Sequence, residues 1–327
     1  MLFLVGGNGF VGARLCGLLD SEGVDYTVID KVAAEPGQKA FFEADVRDVQ
    51  ALAAAMSSDG TIINLSAEHR DDVQPRSLYD EVNVQGARNI CQVATEKNIK
   101  QIIFTSSVAV YGFAPPDTGE DGELNPFNDY GRTKAEAEVV YREWQAEDPD
   151  RSLVIIRPTV IFGEQNRGNV YNLLRQIQSG RFVMIGNGQN LKSMAYVENV
   201  AAFLKASLSF GAGVHTYNYI DKPDFDMNTL VSVVREKLGR GNGVGVRLPY
   251  ALGMSVGYVF DLLAKLTGKS FPISSIRVKK FCATTQFSSS VSESGFVAPV
   301  SLKDGLRRTI QHEFFEDHSD EKQYFSE

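Results

Sequence analysis

The sequence is poor in cysteine, tryptophan and histidine, with three, one and four of these residues among 327. Cys16, Cys91 and Cys282 are widely separated and form no C-x-x-C pair, so no disulfide framework is predicted and the thiols suit a reducing, cytoplasmic compartment. We also predict no metal site. A basic excess is missing, because 41 acidic side chains outnumber 33 basic ones and leave a net charge of −8. That balance argues against a general nucleic-acid-binding protein.

Long apolar runs are absent as well. No stretch reaches the ~20 apolar residues that a confident membrane span needs. The apolar residues 2–5 are too few for a signal-peptide core and lead directly into a glycine-rich turn, which indicates a strand. With 43% hydrophobic and 23% charged residues, the chain has the composition of a globular protein with an ample core.

A glycine-rich turn joins this first strand to a helical pattern. Gly6, Gly9 and Gly12 have the spacing G-x-x-G-x-x-G, and apolar residues recur at helical intervals from Val11 onward. In a dinucleotide-binding fold, Gly6 permits the tight turn, Gly9 lets the backbone approach a pyrophosphate, and Gly12 lets helix and strand pack closely. The helix N-terminus then offers N–H groups to an anion. A plain structural turn is the alternative at this point.

A second predicted strand, 26–29, ends in Asp30. A carboxylate there accepts hydrogen bonds from the adenosine ribose and repels a 2′-phosphate, so the sequence predicts an NAD site rather than an NADP site. Lys31 is a weak indication in the opposite direction. After a third strand, Asp45 is predicted to meet the adenine amino group, to cap the following helix, or to do both.

Strands predicted at 61–65 and 101–104 flank a helix predicted over 82–97, which is typical of a parallel sheet covered on both faces. Ligands of such sheets bind at the carboxyl ends of the strands, where the glycine turn, Ala67 and Ser107 are all predicted to lie. The fold prediction is therefore an α/β, Rossmann-type doubly wound parallel sheet, with a smaller α+β substrate lobe on the C-terminal side.

A dense charged loop, 68–72, follows the fourth strand. It is predicted to be either a solvated turn or a lid beside the nicotinamide. In the second case His69 and Arg70 are the best candidates for substrate contacts.

Tyr130 and Lys134 are four residues apart at the start of a predicted helix, and therefore lie on one face. A surface tyrosine beside a lysine is the alternative interpretation. A phenol titrates near ~10, and a neighbouring ammonium and a positive nicotinamide would favour the phenolate. Tyr130 is then predicted to take a proton from a substrate hydroxyl near neutral pH, with Ser107 bridging the same hydroxyl.

Together these residues resemble the extended short-chain dehydrogenase/reductase superfamily, in its nucleotide-sugar epimerase branch, over nearly the whole chain. Ser107 precedes the run Val-Ala-Val-Tyr-Gly, as in sugar 4-epimerases. The resemblance implies that Ser107, Tyr130 and Lys134 are catalytic. It also implies a set of NAD contacts, which comprises Gly6, Gly9, Phe10, Val11, Gly12, Asp30, Asp45, Val46, Leu65, Ala67, Asn83, Thr105, Tyr130, Lys134, Pro158 and Thr159.

The reaction implied by this resemblance is 4-epimerisation of a sugar. Tyr130 deprotonates the C4 hydroxyl, NAD accepts the C4 hydride, and the hydride returns to the other face after the 4-keto sugar has turned over. Since NAD is not consumed, it is expected to stay tightly bound.

Two departures from the family pattern narrow the reaction and the substrate. Sugar dehydratases carry an Asp-Glu pair after the catalytic hydroxyl, whereas this chain has Val108 and Ala109, which disfavours dehydration. Many nucleotide-sugar epimerases have an asparagine three residues after the arginine matched by Arg157, and a further arginine near the diphosphate. Here these positions are Val160 and Lys192, so the residues that would bind a nucleotide diphosphate are altered.

Three longer stretches, 67–73, 168–174 and 277–287, resemble a narrower group. These are the bacterial epimerases that convert GlcNAc to GalNAc on undecaprenyl diphosphate, the lipid carrier of O-antigen assembly in lipopolysaccharide biosynthesis. This resemblance implies an amino-sugar substrate linked to a lipid or to a nucleotide. The candidate substrate contacts are His69, Arg70, Ser107, Arg167, Asn169, Lys192 and Arg277.

The predicted division of the chain is an NAD-binding domain at 1–168, completed by a strand at 153–157, a substrate lobe at 169–315 that is interleaved with the sheet, and a mobile polar tail at 316–327. Short strands are predicted near Phe182 and Val214 in the lobe. Further helices are predicted over 200–208, 228–238 and about 303–314.

The unusual part of the lobe is 249–266, which is rich in large apolar residues and carries one acidic residue, Asp261, before Lys265. It is too short to span a membrane, so it is predicted to be either a core helix or an interfacial one. A basic cluster that suits anionic phospholipid or a diphosphate follows it. Its members are Lys265, Lys269, Arg277, Lys279 and Lys280. Peripheral contact with the cytoplasmic face of the inner membrane through 249–280 is therefore predicted.

Three functions stay open at this point. A lipid-linked GlcNAc 4-epimerase is preferred, an epimerase or 4-keto reductase acting on a soluble UDP-sugar is the main alternative, and a non-catalytic NAD-binding scaffold is the alternative of another class. Family similarity also implies a homodimer formed through the helices after Asn83 and Tyr130.

Overall fold

The computed structural model describes residues 1–33, 38, 40–70, 72–268 and 274–325. Asp71 of the charged loop and Lys269 of the basic cluster lie outside these residues. The strands are β1 Leu2–Val5, β2 Tyr26–Asp30, β3 Phe41–Glu43, β4 Thr61–Asn64, β5 Gln101–Thr105, β6 Ser152–Pro158, β7 Val160–Phe162, β8 Met184–Ile185, β9 Leu191–Lys192, β10 Met194–Tyr196, β11 Gly213–Tyr219, β12 Phe225–Asp226 and β13 Arg247–Leu248.

The helices alternate with these strands along the first half of the chain. They are α1 Phe10–Ser21, α2 Val49–Ala55, α3 Ser77–Tyr79, α4 Gly86–Glu96, α5 Asp129–Ala146, α6 Asn169–Gln178, α7 Val197–Ala206, α8 Met227–Lys237, α9 Tyr250–Thr267, α10 Ser275–Cys282 and α11 Leu302–Phe315. A π-helical turn, Asp80–Gln85, joins α3 to α4.

Seven parallel strands form the central sheet in the order β11-β6-β5-β4-β1-β2-β3. Apolar residues run along the strands because both faces are covered: α1 and α7 pack on one face, and α2, α4 and α5 on the other. The chain moves outward from β1 through β2 to β3, and then crosses to β4 on the other side of β1. The crevice at this reversal is where doubly wound sheets bind ligands, and the predicted fold class is confirmed.

A smaller layer of three two-stranded pairs, β7–β10, β8–β13 and β9–β12, packs with α6, α8 and α11 around its own apolar cluster. A strand is also predicted near Val214. That strand is β11, and it pairs along its full length with β6 at the edge of the central sheet. Its register with β6 is a long-range contact, which the local sequence pattern does not contain.

The described part of the predicted tail, 316–325, makes specific contacts. Tyr324 N donates to Gln165 O at 2.9 Å, and Arg167 N donates to Tyr324 O at 2.7 Å. The polar composition predicts a mobile segment here, but the structure lays these residues along the loop at 163–168. Among the described residues, no helix has both the length and the apolar character needed to cross a membrane.

Candidate active site

The glycine turn between β1 and α1 has a geometry that only glycine accommodates at two positions. Gly6 has a φ of +77°, and a Cβ there would lie 2.6 Å from Ser66 N. A Cβ on Gly12 would collide with the backbone of Gly7, so α1 can approach the turn only because this side chain is absent. Helix α1 begins at Phe10 without a side-chain cap from Gly9, which leaves its N-terminal N–H groups facing the crevice.

A cavity of about 460 Å³ opens beside this turn, along the carboxyl ends of the central strands. Most of the residues named from the sequence line it. They are Gly6, Gly9, Phe10, Val11, Gly12, Asp30, Asp45, Val46, Leu65, Ala67, His69, Thr105, Ser107, Tyr130, Lys134, Pro158, Thr159 and Asn169. The structure therefore brings together the glycine turn, the acidic end of β2 and the Ser-Tyr-Lys set.

The acidic end of β2 is held by the glycine turn. Asp30 accepts hydrogen bonds from Asn8 N at 3.0 Å and from Val32 N at 2.9 Å, so its carboxylate is fixed at the rim of the cavity. The Asn8 side chain, 5% exposed, donates to Val32 O at 2.9 Å. Lys31 also lines the cavity and forms an ion pair with Glu68 at 3.2 Å. Asn8 lines the cavity but was missed from the sequence, because it lies between the glycines and carries no motif of its own.

The Ser-Tyr-Lys set is positioned by two strand ends and one helix. Ser107 caps a short helical turn, with its Oγ accepting from Ala109 N at 3.1 Å, and it is hydrogen-bonded to Tyr130. Asn128 caps α5 by accepting from Gly131 N at 2.9 Å, which fixes the first turn that bears Tyr130. Lys134, 2% exposed, donates to Thr105 O at 2.8 Å.

Burial dominates the titration of this set. It lowers the pKa of Lys134 to about 7, against a smaller opposing effect of Glu138. It raises the pKa of Tyr130, which the hydrogen bond from Ser107 only partly counteracts. In the chain by itself the Lys134 ammonium donates to the Thr105 carbonyl, and the lowering of the Tyr130 pKa by lysine and nicotinamide together stays a prediction. Burial also lowers the pKa of His69, which lines the cavity.

A buried ion pair supports the strand ends behind the cavity. Arg157 and Glu138, 3% and 2% exposed, meet at 2.5 Å between Nη2 and Oε2. Glu138 also accepts from Ser106 Oγ at 2.6 Å, and Arg157 donates to Tyr111 Oη at 2.6 Å. These bonds tie β6, the end of β5 and α5 to one another, so they set where Ser107 and Pro158 lie.

Asn83 does not line the cavity but holds the loop that does. Its amide accepts from Glu68 N at 2.9 Å and donates to Glu68 O at 2.9 Å, and it also donates to Thr133 Oγ1. These bonds place His69 at the cavity. Arg70 is exposed outside it, 3.4 Å from Asp72.

Residues 2–219 match the NAD dependent epimerase/dehydratase family. The chain belongs to this family. The N-acetyl-alpha-D-glucosaminyl-diphospho-ditrans,octacis-undecaprenol 4-epimerase of Escherichia coli O157:H7 is 50% identical to it over 331 aligned residues, which cover 100% of this chain and 99% of that one. The predicted superfamily, enzyme class and NAD cofactor are thereby confirmed.

Two solved structures share the fold of this family member. UDP-glucose 4-epimerase from Thermotoga maritima, with UDP-glucose, has a TM-score of 0.72 at 17% identity and covers 95% of this chain and 97% of its own. UDP-glucuronic acid 4-epimerase from Bacillus cereus, in complex with NAD, has a TM-score of 0.71 at 17% identity with the same coverage. At this identity the likeness concerns the fold alone.

The cavity of this family member fits NAD. Thr105 Oγ1 is buried there and has no hydrogen-bond partner among the described residues, so a polar ligand group is needed to satisfy it. The N-terminus of α1 and the space left by Gly6 and Gly12 suit a pyrophosphate. In the part of the chain that the structure describes, no cluster of three or more His, Cys, Asp or Glu side chains could hold a metal ion.

Three further candidate substrate contacts lie outside the described cavity. Arg167 Nη1 donates to the buried Glu313 at 2.7 Å. Lys192 Nζ donates to Ala283 O at 2.7 Å and to Lys280 O at 3.2 Å, at the carboxyl end of α10. Arg277 is exposed on α10. None of the three lines the described cavity, so their roles toward substrate stay predictions.

Several cavity residues come from the second half of the chain and were missed from the sequence. They include Gly163, Asn166, Gly168, Tyr171 and Thr309. Only the run around Gly168 carried a signal, through its resemblance to the lipid-linked epimerases.

Proposed function

We propose that this protein is a 4-epimerase that interconverts N-acetylglucosamine and N-acetylgalactosamine while the sugar is linked to undecaprenyl diphosphate. The observation that carries the proposal is the 50% identity, over the whole chain, with the Escherichia coli enzyme named for that reaction. The cavity supports it, because a base, a hydroxyl donor and the fitted NAD site all lie along one wall.

Tyr130 is the base in this proposal. Its oxygen takes the proton of the C4 hydroxyl and returns it after the 4-keto sugar has turned over, while Ser107 holds the same oxygen through hydrogen bonds. Bound NAD supplies reversible acceptance of the C4 hydride. Since burial raises the pKa of Tyr130, a positive charge beside the ring must favour the phenolate. The pyridinium of NAD and a protonated Lys134 are the two sources of that charge.

The residues after Ser107 favour epimerisation over dehydration. Val108 and Ala109 occupy the short helical turn that Ser107 caps, so no carboxylic acid stands there to expel water from a 4-keto sugar. Val160, which is 42% exposed, stands where many nucleotide-sugar epimerases have an asparagine for the diphosphate. This difference supports a carrier other than a nucleotide.

The substrate is tested by offering the purified protein UDP-GlcNAc and GlcNAc diphosphate on a polyprenol, in separate reactions with detergent. We expect GalNAc to form on the polyprenol and little or none on UDP. Turnover of the nucleotide sugar alone would reject the lipid-linked assignment in favour of a soluble UDP-sugar epimerase.

Tyr130→Phe tests the chemistry. We expect the variant to lose at least ~10²-fold in turnover while still binding NAD, because general base catalysis contributes about that much. Tyr217→Phe removes a hydroxyl from β11 outside the cavity and should remain active. An unchanged rate in Tyr130→Phe would favour the non-catalytic NAD-binding scaffold or another base.

The hairpin of α9 and α10 supports a membrane contact for this enzyme. Helix α9 turns a small and polar stripe inward: a Cβ on Gly253 would lie 2.5 Å from Ile185, one on Gly257 would lie 2.7 Å from Ser275 Cα, and Asp261 accepts from Ser275 N. The opposite side carries large apolar residues that are exposed. They are Tyr250, Leu252, Tyr258, Val259, Leu262 and Leu266 on α9, with Ile276 on α10.

Exposed basic residues border this apolar surface, namely Lys265, Arg277, Lys279 and Lys280. An apolar helix face rimmed by cations suits the interface of an anionic bilayer, where a polyprenyl substrate resides. We therefore place the enzyme at the cytoplasmic face of the inner membrane, held peripherally through 249–280. A homodimer formed through α4 and α5 is part of the same proposal and rests on family similarity.

Flotation with liposomes tests the membrane contact. We expect binding at low salt to vesicles that contain phosphatidylglycerol, with weaker binding at high salt or to phosphatidylcholine alone. The double variant Leu262→Glu, Leu266→Glu should stay unbound, whereas Val297→Glu, which changes a residue that is 83% exposed in a loop, should float like the unmodified protein. Absence of binding at low salt would remove this part of the proposal.

A further inference from the structure

We propose that residues 316–325, called the strap below, complete the dinucleotide site and that Lys322 and Tyr324 slow the release of bound NAD. This inference rests on the proposed function, because a 4-epimerase regenerates NAD in every turnover and gains nothing from releasing it. The strap follows α11 and runs back to the glycine turn between β1 and α1.

The strap is attached to a loop that itself lines the cavity. Tyr324 pairs with the loop at 163–168 through backbone hydrogen bonds to Gln165 and Arg167. Within that loop, Asn166 and Gly168 line the cavity on either side of Arg167. Moving the strap would therefore disturb one wall of the dinucleotide site.

Two strap side chains reach the glycine turn directly. The Tyr324 ring lies 5.7 Å from the ring of Phe10, the first residue of α1 and part of the cavity lining. Lys322 Nζ donates to Asn8 O at 3.2 Å and lies 5.2 Å from the Tyr324 ring. A half-buried ammonium is thus held against the turn that is shaped to receive a pyrophosphate.

The cationic side chains of the described cavity lining already have partners. Among the described lining residues the lysines are Lys31, paired with Glu68, and Lys134, bonded to Thr105 O. The described lining contains no arginine. Backbone N–H groups at the start of α1 can bind phosphate oxygens but carry only partial positive charge. The Lys322 ammonium adds a full positive charge at the same turn.

Hydrogen bonds and a stacked histidine pair hold the strap in position. Glu321 accepts from Gln165 Nε2 at 2.5 Å and lies 2.9 Å from His312 Nε2. The His312 and His318 rings stack at 4.8 Å, which closes the turn between α11 and the strap. Because these contacts join the strap to both α11 and the cavity wall, we treat the strap as part of the site.

The experiment measures cofactor release without any substrate. The purified full chain is loaded with NADH and chased with excess NAD, and the fall in NADH fluorescence gives the dissociation rate. We expect Lys322→Gln and Tyr324→Ala each to release NADH several-fold faster, and the double variant roughly tenfold faster. Lys303→Gln, which removes the same charge from the exposed side of α11, should release NADH at the original rate.

The inference is overturned if the double variant releases NADH as slowly as the unmodified protein, or if Lys303→Gln has the same effect as Lys322→Gln. The unfolding midpoint of each NADH-free variant shows whether it is folded. If Tyr324→Ala is unfolded, the release rate of Lys322→Gln alone decides whether the inference holds. Strap-dependent NADH release in a protein that epimerises no amino sugar would overturn the proposed substrate and leave the strap assignment intact.

Discussion

Breaking the buried ion pair between Arg157 and Glu138 is expected to destabilise this protein strongly. Their side chains are 3% and 2% exposed and meet at 2.5 Å, and Ser106 Oγ donates to the same carboxylate at 2.6 Å. Removing one member of such a pair leaves the other charge buried without compensation, which typically costs about 3–5 kcal/mol. The pair stands directly behind Ser107, so the effect matters for the site as well as for the fold.

In the variant Glu138→Leu, Arg157 keeps two acceptors, Tyr111 Oη at 2.6 Å and Glu120 O at 2.9 Å. These offset part of the cost, and we therefore expect the free energy of unfolding to fall by ~3 kcal/mol, at the lower end of that range. The double variant Glu138→Leu, Arg157→Met should recover much of the loss, because an apolar pair of similar volume needs no compensating charge.

Urea denaturation followed by circular dichroism, with NAD removed from all samples, measures these changes without the stabilising effect of a ligand. Glu136→Gln serves as the matched control, since it breaks a surface pair with Arg132 and should cost less than ~1 kcal/mol. A loss under ~1 kcal/mol in Glu138→Leu would refute the reasoning. Additive losses in the double variant would refute it too, because they would mean that the two charges do not interact.

Two further predictions concern the dinucleotide cavity. Gly6→Ala places a Cβ 2.6 Å from Ser66 N at a φ of +77°. We therefore expect the NAD-free protein to lose ~1–3 kcal/mol of stability in urea denaturation, and its NAD affinity to fall in calorimetric titration. Unchanged values for both would contradict the geometry. Burial lowers the pKa of Lys134 from 10.5 to about 7 in the folded chain. Between these pH values the unfolded chain binds more protons than the folded chain, so the free energy of unfolding should rise with pH by up to ~1.4 kcal/mol per pH unit. Lys134→Met should flatten this rise in denaturation series at pH 7, 8 and 9, and an unchanged slope would exclude Lys134 as its cause.

The positions of the proposed catalytic and cofactor residues could be predicted from the sequence, because each is set by a local pattern and one general rule. The glycine spacing defines the turn, Asp30 ends a short apolar strand, and Tyr130 and Lys134 share a helix face. In a parallel sheet the carboxyl ends of the strands meet at one edge, so these separate signals converge without knowledge of long-range contacts. The cavity lining shows that convergence.

The features that the sequence did not reveal depend on contacts between distant residues. Lys192 resembles a residue for a diphosphate, but its ammonium is bonded to carbonyls 88 and 91 residues away. Arg167 is paired with Glu313, and the polar composition of 316–325 gives no sign that Tyr324 pairs with the loop beside it. The burial of Tyr130, which raises the pKa of its phenol, is likewise set by distant parts of the chain.

The α9–α10 hairpin shows why apolar composition alone did not distinguish a core helix from a membrane-facing helix. Both readings require large apolar residues, and they differ in which face is turned inward. In the structure the inward stripe is Gly253, Gly257 and Asp261, so the helix packs through the residues that contribute least apolar area and leaves its leucines outside. Burial would have stabilised a core helix by ~1.5–3 kcal/mol for each such side chain, so the exposed face is consistent with the proposed interfacial role rather than with a core helix.

Lys192 connects this apolar surface to the rest of the molecule. It lies on β9, next to β10 in sequence, and it binds the carbonyls at the carboxyl end of α10. In the nucleotide-sugar epimerases that the chain resembles, this position carries an arginine for the diphosphate. In this chain Lys192 anchors the end of α10, and such an anchor is what we expect if the proposed carrier is a lipid, because the protein must then hold an exposed apolar surface in place.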